Sequence, residues 1–287
     1  KALVEATLKT NDPTIINGFI KDAISTACRK YNSSDQVSCE RTFDDSVLDN
    51  LLPHYKFYED KGISEITLKK FKGGLATRSQ MYQRYVFPIY NERHAIHGFS
   101  GRLVIKDSSK PKWKHMGRKT GWVYPFYVKD KGEVFVRDSI MSSREVFLVE
   151  SIGDMLSLYE YGVTNVLVTF GLDVSSRLCC LLSTLNLNKI HLSLNNDSNS
   201  SENRGLNACV KNILKLLNLV SIDKLDITLP LKNDFGDMNG SDFDIWFNDI
   251  KDKKRSDFIE ETLEVARKLE SQKKLPQTLL KNVKFLC

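Results

Sequence analysis

The sequence lacks several features that would each indicate a particular class of protein. No uninterrupted apolar run among its 287 residues approaches the roughly 18 residues of a membrane span, so we expect no membrane partner. No CxxC pair and no His at zinc-finger spacing occurs, and no GxxxxGK(S/T) motif indicates a fused helicase. The chain starts at Lys1, with no charged stub leading into an apolar core, so we expect a fragment without a signal peptide.

The cysteines are few and scattered, which argues against a disulfide framework. They are Cys28, Cys39, Cys179, Cys180, Cys209 and Cys287. Unpaired thiols at such positions are typical of small buried side chains in a reducing compartment. We therefore expect a cytoplasmic protein without structural zinc.

The positive charge is concentrated in one stretch of the chain. The net charge is +6 overall. Residues 61–120 contain fourteen Lys and Arg against three acidic residues, a net charge of +11, so the remainder carries −5. Aromatic residues, among them Tyr85, Phe99 and Trp113, lie between these basic residues. A basic stretch is often only a solvated face, but one interleaved with aromatics suits a groove for a polyanion, with nucleic acid as the leading candidate.

The basic stretch is predicted to have a mixed α+β fold. A short helix is expected from Ser64 to Phe71, with Ser64 as its N-cap. Strands are expected over Arg84–Tyr90 and Ile96–Ile105, followed by a Lys-rich loop, and further short strands near Trp122–Val128 and Val134–Val136. Upstream, apolar residues recur at helical spacing from Pro13 to Lys30.

The second half of the chain alternates short apolar runs with longer helical patterns. The predicted strands are Val146–Val149, Val166–Phe170, Ile190–Leu194 and Leu225–Leu229. Helices are also expected at Ser241–Ile250 and Ser256–Leu269. This alternation is typical of a parallel sheet flanked by helices. We divide the chain into an N-terminal helical segment (1–54), a smaller basic α+β subdomain (55–143), an α/β domain (144–250) and a C-terminal helical tail (251–287).

Acidic residues follow three of the predicted parallel strands. They are Glu150 with Asp154, then Asp197 beside Asn195, then Asp234 with Asp237. The carboxyl ends of parallel strands meet at one edge of a sheet, where ligands gather. Any single acid there could be a helix cap or an exposed loop residue. Three coincident clusters instead predict a site for a hard cation, Mg²⁺ or Mn²⁺, that serves phosphoryl transfer.

Two of these segments resemble the Toprim domain: Leu148 to Asp154 and Leu194 to Asp197. That family has a glutamate after its first strand and a DxD motif after its third. It includes DnaG-type primases, topoisomerases and certain nucleases. Upstream, Phe57–Gly74, Arg84–Tyr90 and Gly98–Arg102 resemble the basic subdomain of primases, particularly those of phages. The resemblance extends over roughly Tyr55 to Ile250.

The resemblance implies a Toprim-type parallel sheet at 144–250 and a role for each site residue. Glu150 matches the general acid or base, or an acid next to the metal. The implied metal-binding positions are Asp154, Asn195, Asp197, Asp234 and Asp237. The implied contacts to template and nucleotide phosphates are Arg84, Arg102, Lys112, Lys114, Arg118 and Lys119.

The chain departs from the family pattern in three ways. Asn195 stands where the first Asp of DxD is usual, which removes a charge although an amide oxygen still binds hard cations. Ser151 replaces the usual Gly after the glutamate. The zinc-binding module of the family is not in these residues, which leaves template selection open.

The leading functional hypothesis is a primase catalytic core that makes RNA primers from nucleoside triphosphates on single-stranded DNA, with a replicative helicase as partner. If the source is a phage, its location is the host cytoplasm. The alternatives are a Toprim nuclease that uses the same acids and, because of Asn195, a catalytically inactive DNA-binding or replisome-scaffold protein. A topoisomerase is disfavoured, because its cleavage tyrosine requires a large separate domain.

Overall fold

A computed structural model describes residues 41–106 and 109–286. Their strands are β1 (Leu51–Leu52), β2 (Gly74–Ala76), β3 (Arg84–Tyr90), β4 (Ile96–Leu103), β5 (Trp113–Met116), β6 (Glu145–Val149), β7 (Val166–Val168), β8 (Lys189–Ser193) and β9 (Leu225–Ile227). Their α-helices are α1 (Lys56–Glu59), α2 (Glu65–Lys70), α3 (Phe135–Ser143), α4 (Ile152–Glu160), α5 (Ser176–Thr184), α6 (Arg204–Leu216), α7 (Gly240–Asp252), α8 (Arg255–Ser271) and α9 (Gln277–Leu280). Short 3-10 turns occupy Asp45–Asn50, Ser79–Met81, Lys119–Gly121, Ile222–Lys224, Phe235–Asp237 and Val283–Phe285. The helix predicted from Pro13 to Lys30 lies outside the described residues.

The first sheet is antiparallel, with the order β1-β2-β3-β4-β5. Its centre is the β3–β4 hairpin, and β3 has the predicted bounds and is buried along its whole length. Tyr85 and Phe87 of β3 pack against Tyr58 of α1, with ring centroids 5.0 and 5.7 Å apart. Helix α2 begins where predicted, because the Ser64 hydroxyl accepts a hydrogen bond from the Thr67 amide.

The second sheet is parallel, with the order β7-β6-β8-β9. Its strands are almost wholly buried, as expected for a sheet covered on both faces: β6 and β7 are mostly apolar, whereas β8 and β9 also bury His191, Ser193 and Asp226. Helix α6 buries a stripe repeated every three to four residues, which includes Cys209, Ile213 and Leu216, and packs against this sheet. The predicted fold class, a parallel sheet flanked by helices after a smaller α+β portion, is confirmed.

The two sheets share one hydrophobic core. The backbone of Tyr124 pairs with Val168 in β7, the outer strand of the parallel sheet. The Glu160 carboxylate at the end of α4 accepts hydrogen bonds from the Ser64 amide and hydroxyl at 2.9 and 2.8 Å. Phe71 packs edge-on against Tyr159 of α4, 5.3 Å between ring centroids. These contacts fix the basic sheet beside the ends of the parallel strands.

Two of the predicted short strands are wrong, and one real strand was missed. Val134–Val136 begins helix α3 instead, which buries Val136 and Ile140 four residues apart. Trp122–Val128 is buried but forms only the single bridge at Tyr124, because the following Pro125 has no amide hydrogen to donate. Strand β5 lies within the predicted Lys-rich loop. Its residue types do not indicate a strand, and its pairing with β4 holds it in one.

The C-terminal helices cover the parallel sheet and α6. Helix α8 buries Phe258, Thr262, Ala266 and Leu269 at helical spacing and packs against α6. The side-chain amide of Asn282 donates to the Leu214 carbonyl at 2.7 Å.

No described helix combines the length and the apolarity needed to cross a membrane. The domain limits drawn from the sequence stay predictions.

Candidate active site

A cavity of about 210 Å³ lies between the two sheets, at the carboxyl ends of the parallel strands. From the basic sheet it is lined by Ser100, Lys112, Trp113 and His115, and from the α/β half by Glu150, Ser151, Ile152, Phe170, Gly171, Asn195 and Asp234. Carboxylates on one wall therefore face basic and aromatic side chains on the other. This arrangement suits a ligand that carries both anionic and ring-shaped parts.

Glu150 lies at the tip of β6, where the chain turns into α4. Its carbonyl accepts a hydrogen bond from the Gly171 amide at 3.2 Å, which ties the ends of β6 and β7 together. Gly171 has a φ of +135°, a backbone conformation that favours glycine. Partial burial raises the pKa of the Glu150 carboxyl, and the nearby Asp197 charge raises it further. A carboxyl with a raised pKa in a cleft is a candidate proton acceptor.

Asp154 lies beneath this cavity rather than in its wall. It is 3% exposed, and its carboxylate accepts hydrogen bonds from the Ser151 amide at 3.0 Å and hydroxyl at 2.7 Å. These bonds complete a capping box at the start of α4. Burial, followed by the negative charge of Asp234, raises the pKa of Asp154 to about 7. The structure thus shows Asp154 holding the turn that follows Glu150, and its predicted metal contact stays a prediction.

The segment after β8 brings an amide, rather than a carboxylate, to the cavity. Asn195 lines the cavity, whereas Asp197 lies farther along with its carboxylate 3.6 Å from Arg204 Nε. Helix α6 begins directly against this segment, because a Cβ added to Gly205 would lie 1.6 Å from the Asn195 carbonyl oxygen. Glycine at this position therefore permits the close approach of α6 to the Asn195 backbone.

The loop after β9 contributes one of its two predicted acids. Asp234 lines the cavity, and its charge raises the pKa of both Glu150 and Asp154. Asp237 is exposed on the following 3-10 turn and does not line the cavity. The charges of Asp197 and Asp234 therefore act on Glu150, and those of Asp234 and Glu150 act on Asp154, whereas Asp237 stands apart from this group.

The acidic wall offers donors of the type that a hard cation prefers. Within residues 41–106 and 109–286, no group of three or more His, Cys, Asp or Glu side chains is arranged as a ready metal site. Mg²⁺ is commonly held by one or two carboxylates together with substrate phosphates and water, rather than by an all-protein cage. Glu150 and Asp234 beside the Asn195 amide match that simpler donor set.

The basic wall places only some of the predicted phosphate contacts near the cavity. Lys112 lines it, and its positive charge offsets part of the rise in the pKa of Glu150. Lys119 donates to the Phe170 carbonyl at 3.0 Å. Arg102 lies over the rings of Phe57 and Trp113, 5.7 and 5.9 Å from their centroids. This stacking holds the guanidinium group at the rim of the cavity.

The remaining predicted basic contacts lie away from the cavity. Lys114 stands between Trp113 and His115 on β5, so its side chain projects from the opposite face of the sheet. Arg118 is exposed and precedes the 3-10 turn Lys119–Gly121. Both positions suit contacts outside the cavity.

The surroundings of Arg84 argue against its predicted phosphate contact. The residue is 3% exposed. Its guanidinium donates to the carbonyl oxygens of Gly101, Lys112 and Pro111 at 3.1, 3.3 and 2.8 Å. An arginine whose donors point at backbone carbonyls braces the sheet and is not available to a template. Arg84 is therefore removed from the candidate nucleic-acid contacts.

Ser100, His115 and Phe170 line the cavity, and the sequence analysis proposed no site role for them. Ser100 and His115 are neighbours only because β4 pairs with β5, and β5 was not predicted. Phe170 was included in a predicted strand, but it follows β7 with a φ of +57° and faces His115, 5.7 Å between ring centroids. No pattern in the sequence indicates these contacts.

The chain is similar in sequence to curated DNA primases. No family model matches the chain. A DNA primase of Deinococcus radiodurans is 26% identical over 155 residues, which are 50% of this chain and 25% of that protein. A DNA primase of Lactococcus lactis is 25% identical over 157 residues, 42% of this chain and 24% of that protein. The chain thus corresponds to about a quarter of the length of these curated relatives.

Solved structures extend the similarity to most of the chain. A DnaG primase catalytic domain bound to single-stranded DNA superposes with a TM-score of 0.58 at 15% identity, over 83% of this chain and 91% of that one. The chain has the fold of a DnaG-type primase catalytic core. In this primase-core fold, the cavity lies where the basic antiparallel sheet meets the acidic ends of the parallel strands.

Proposed function

We propose that this chain is the catalytic core of a DNA primase, which joins ribonucleotides into short primers on single-stranded DNA. The observation that carries the proposal is the cavity in which Glu150 and Asp234 face Lys112 and Trp113. Nucleotidyl transfer needs positioned phosphates and stabilised charge, and little covalent chemistry from the protein. The similarity to DNA primases, in sequence and in fold, supports the same assignment.

The residues of the site have separate tasks in this proposal. Lys112, with Lys119 and Arg102 at the rim, attracts and orients the phosphates of the incoming nucleotide. Glu150 accepts the proton of the attacking hydroxyl, because its raised pKa brings its basicity closer to that of neutral solution. Asp154 keeps the turn after Glu150 in place through Ser151.

A divalent cation, Mg²⁺ or Mn²⁺, completes the proposed site. Asp234 and Asp197 would hold it, with the Asn195 amide oxygen in place of a further carboxylate, which leaves Glu150 beside the ion to accept the proton. When bound, the ion neutralises charge on the phosphates and on the attacking oxygen. Burial is the main cause of the raised pKa values of Glu150 and Asp154, and the neighbouring acids raise them further; such an ion would relieve this second, repulsive contribution.

The template is proposed to lie along the basic half of the molecule. Arg102 and Arg118, with Lys112 and Lys119 nearer the cavity, form this surface, and a contact from Lys114 on the opposite face of the sheet stays a prediction. Single strands are held by backbone charge and by stacking on aromatic rings, and Trp113 beside Arg102 offers both. A replicative helicase as partner and a cytoplasmic location stay predictions. Co-purification with the helicase from the source organism tests the partner.

Labelled ribonucleoside triphosphates incubated with a mixed single-stranded template test the function. A primase produces labelled oligomers longer than one nucleotide, and only with Mg²⁺ or Mn²⁺ present. A nuclease that uses the same acids shortens an end-labelled template instead. A scaffold binds the template but does neither, which is the alternative that Asn195 motivates. Degradation or inert binding by the wild-type chain would contradict the proposal.

A further inference from the structure

Two polar side chains in the cavity wall have unsatisfied hydrogen-bonding atoms. Ser100 Oγ and His115 Nδ1 are both buried, and neither has a hydrogen-bond partner among the described residues. Ser100 is 0% exposed. The two residues lie directly opposite each other on β4 and β5, so their side chains share the sheet face that forms the cavity wall.

Buried polar atoms without partners are rare, because burial removes their hydrogen bonds to water. An apolar side chain at either position would fill the same space without this cost. The imidazole of His115 is held between Trp122 and Phe170, 5.6 and 5.7 Å between ring centroids, in edge-on contacts that restrict its orientation. The pair is therefore a fixed set of polar atoms that a ligand in the cavity would satisfy.

The size of the cavity limits what part of a nucleotide reaches this pair. Sites for whole drug-sized ligands have volumes of about 300–1,000 Å³. A cavity of about 210 Å³ accommodates one ring of a nucleotide, with the remainder extending toward the rim. Lys112 in the cavity wall, Lys119 at the Phe170 carbonyl and Arg102 over Trp113 supply the positive charge that phosphates require.

The chemistry of the pair suits a neutral hydroxyl group better than a phosphate. Burial, then the positive charges of Lys119 and Arg84, lower the pKa of His115, which keeps the imidazole neutral. A neutral imidazole has one donor and one acceptor nitrogen, and a serine hydroxyl both donates and accepts. A sugar hydroxyl also does both, so it can satisfy either residue.

We infer that Ser100 and His115 bind the 2′-hydroxyl of the ribose of the nucleotide held in this cavity and select ribonucleotides over deoxyribonucleotides. The inference rests on the proposed function, because it assumes that the cavity holds a nucleotide. A site built to hydrogen-bond a hydroxyl discriminates strongly against a ligand that lacks it, since the polar groups of the site are then left unpaired.

Two substitutions test the pair by removing its polar atoms while keeping its volume. Ser100→Ala deletes only Oγ. His115→Phe keeps an aromatic ring between Trp122 and Phe170, and His115→Asn returns an amide near the position of Nδ1. Ser183→Ala is the matched control, because its hydroxyl donates to the Cys180 carbonyl within α5, and Ser183 does not line the cavity. Thermal unfolding confirms that each variant is folded.

The measurement is equilibrium binding of ATP, dATP, GTP and dGTP, followed by incorporation of the same nucleotides. We expect Ser100→Ala and His115→Phe each to reduce the ratio of ribonucleotide to deoxyribonucleotide affinity by roughly 3- to 10-fold, the loss of one or two hydrogen bonds. Deoxyribonucleotide binding should stay near wild type. His115→Asn should recover much of the ratio, and Ser183→Ala should not change it.

Three outcomes would overturn the inference: an unchanged ratio in both variants, a change in the preference between ATP and GTP in place of the sugar preference, or no nucleotide binding by the wild type. A wild-type chain that prefers ribonucleotides in binding, yet synthesises nothing, would leave the pair supported and the proposed function contradicted. Primer synthesis with an unchanged sugar preference in the variants would support the proposed function and contradict the inference about Ser100 and His115.

Discussion

The carboxyl group of Asp154 should make the stability of this protein depend on pH. Its pKa is about 7 in the fold, against 3.8 for an ordinary aspartate, because it is buried and lies near Asp234. Between these two values the folded chain binds more protons than the unfolded chain, so stability falls as pH rises through this window. Each pH unit between the two pKa values is worth about 1.4 kcal/mol, so the loss above pH 7 is about 4 kcal/mol.

Replacing Asp154 by Asn should remove this loss. The amide oxygen can still accept the hydrogen bonds from Ser151, but the side chain carries no charge at any pH. We expect Asp154→Asn to be more stable than wild type by about 4 kcal/mol at pH 8, and the difference to disappear near pH 4. Urea unfolding from pH 4 to pH 8, with a chelator present, measures the free energy of unfolding of both proteins.

A second capping box supplies a control with the opposite sign. Asp242 occupies the same position at the start of α7, and its hydrogen bond from the Asn239 amide, followed by Lys232, lowers its pKa. Asp242→Asn should therefore destabilise the protein at neutral pH, with the difference lost as pH falls through the lowered pKa. If wild type and Asp154→Asn had the same pH dependence, Asp154 would ionise normally and the reasoning would be refuted.

Three further predictions follow from the site and the sheets. Asn195→Asp should lower the Mg²⁺ concentration for half-maximal primer synthesis, because a carboxylate binds a hard cation through charge as well as geometry. A magnesium titration that shows no change or a higher Mg²⁺ requirement would contradict this expectation. Gly205→Ala should destabilise the fold by about 1–3 kcal/mol or more in thermal or urea unfolding, because its Cβ would overlap the Asn195 carbonyl. Gly240→Ala is the control: its Cβ would lie 3.7 Å from the nearest side-chain atom at a helix start, so its stability should be near that of wild type. Arg102→Ala should weaken single-stranded DNA binding and reduce the slope of log affinity against log salt concentration by roughly 0.7. Arg84→Ala should mainly lower stability. Equal slopes for Arg102→Ala and wild type would remove Arg102 from the template surface.

Residues whose environment is set by local sequence could be predicted. The parallel strands were located to within two residues at each end, because each is a short, mostly apolar run between longer helical patterns. Glu150 and Asp234 were found at the cavity because they follow such runs. Ser64 was predicted as the N-cap of α2 for the same local reason.

Residues whose environment is set by tertiary packing could not be predicted. Arg84 has the composition of an exposed phosphate contact, but the carbonyl oxygens that surround it come from segments 17–28 residues away. Ser100 and His115 become a pair only through the register of β4 and β5. Val134–Val136 has strand-like residue types, yet it starts a helix because Val136 and Ile140 together reach the core.

The most direct test of the central claim is incorporation of labelled ribonucleotides on single-stranded DNA by wild type and by Glu150→Gln. The substitution keeps the size of the side chain and removes its ability to accept a proton. We expect Mg²⁺- or Mn²⁺-dependent primers from wild type and a loss of at least about 100-fold in the variant, with template affinity and unfolding midpoint nearly unchanged. Primer synthesis by Glu150→Gln at near wild-type rates would contradict the assignment of this cavity as the site of nucleotidyl transfer.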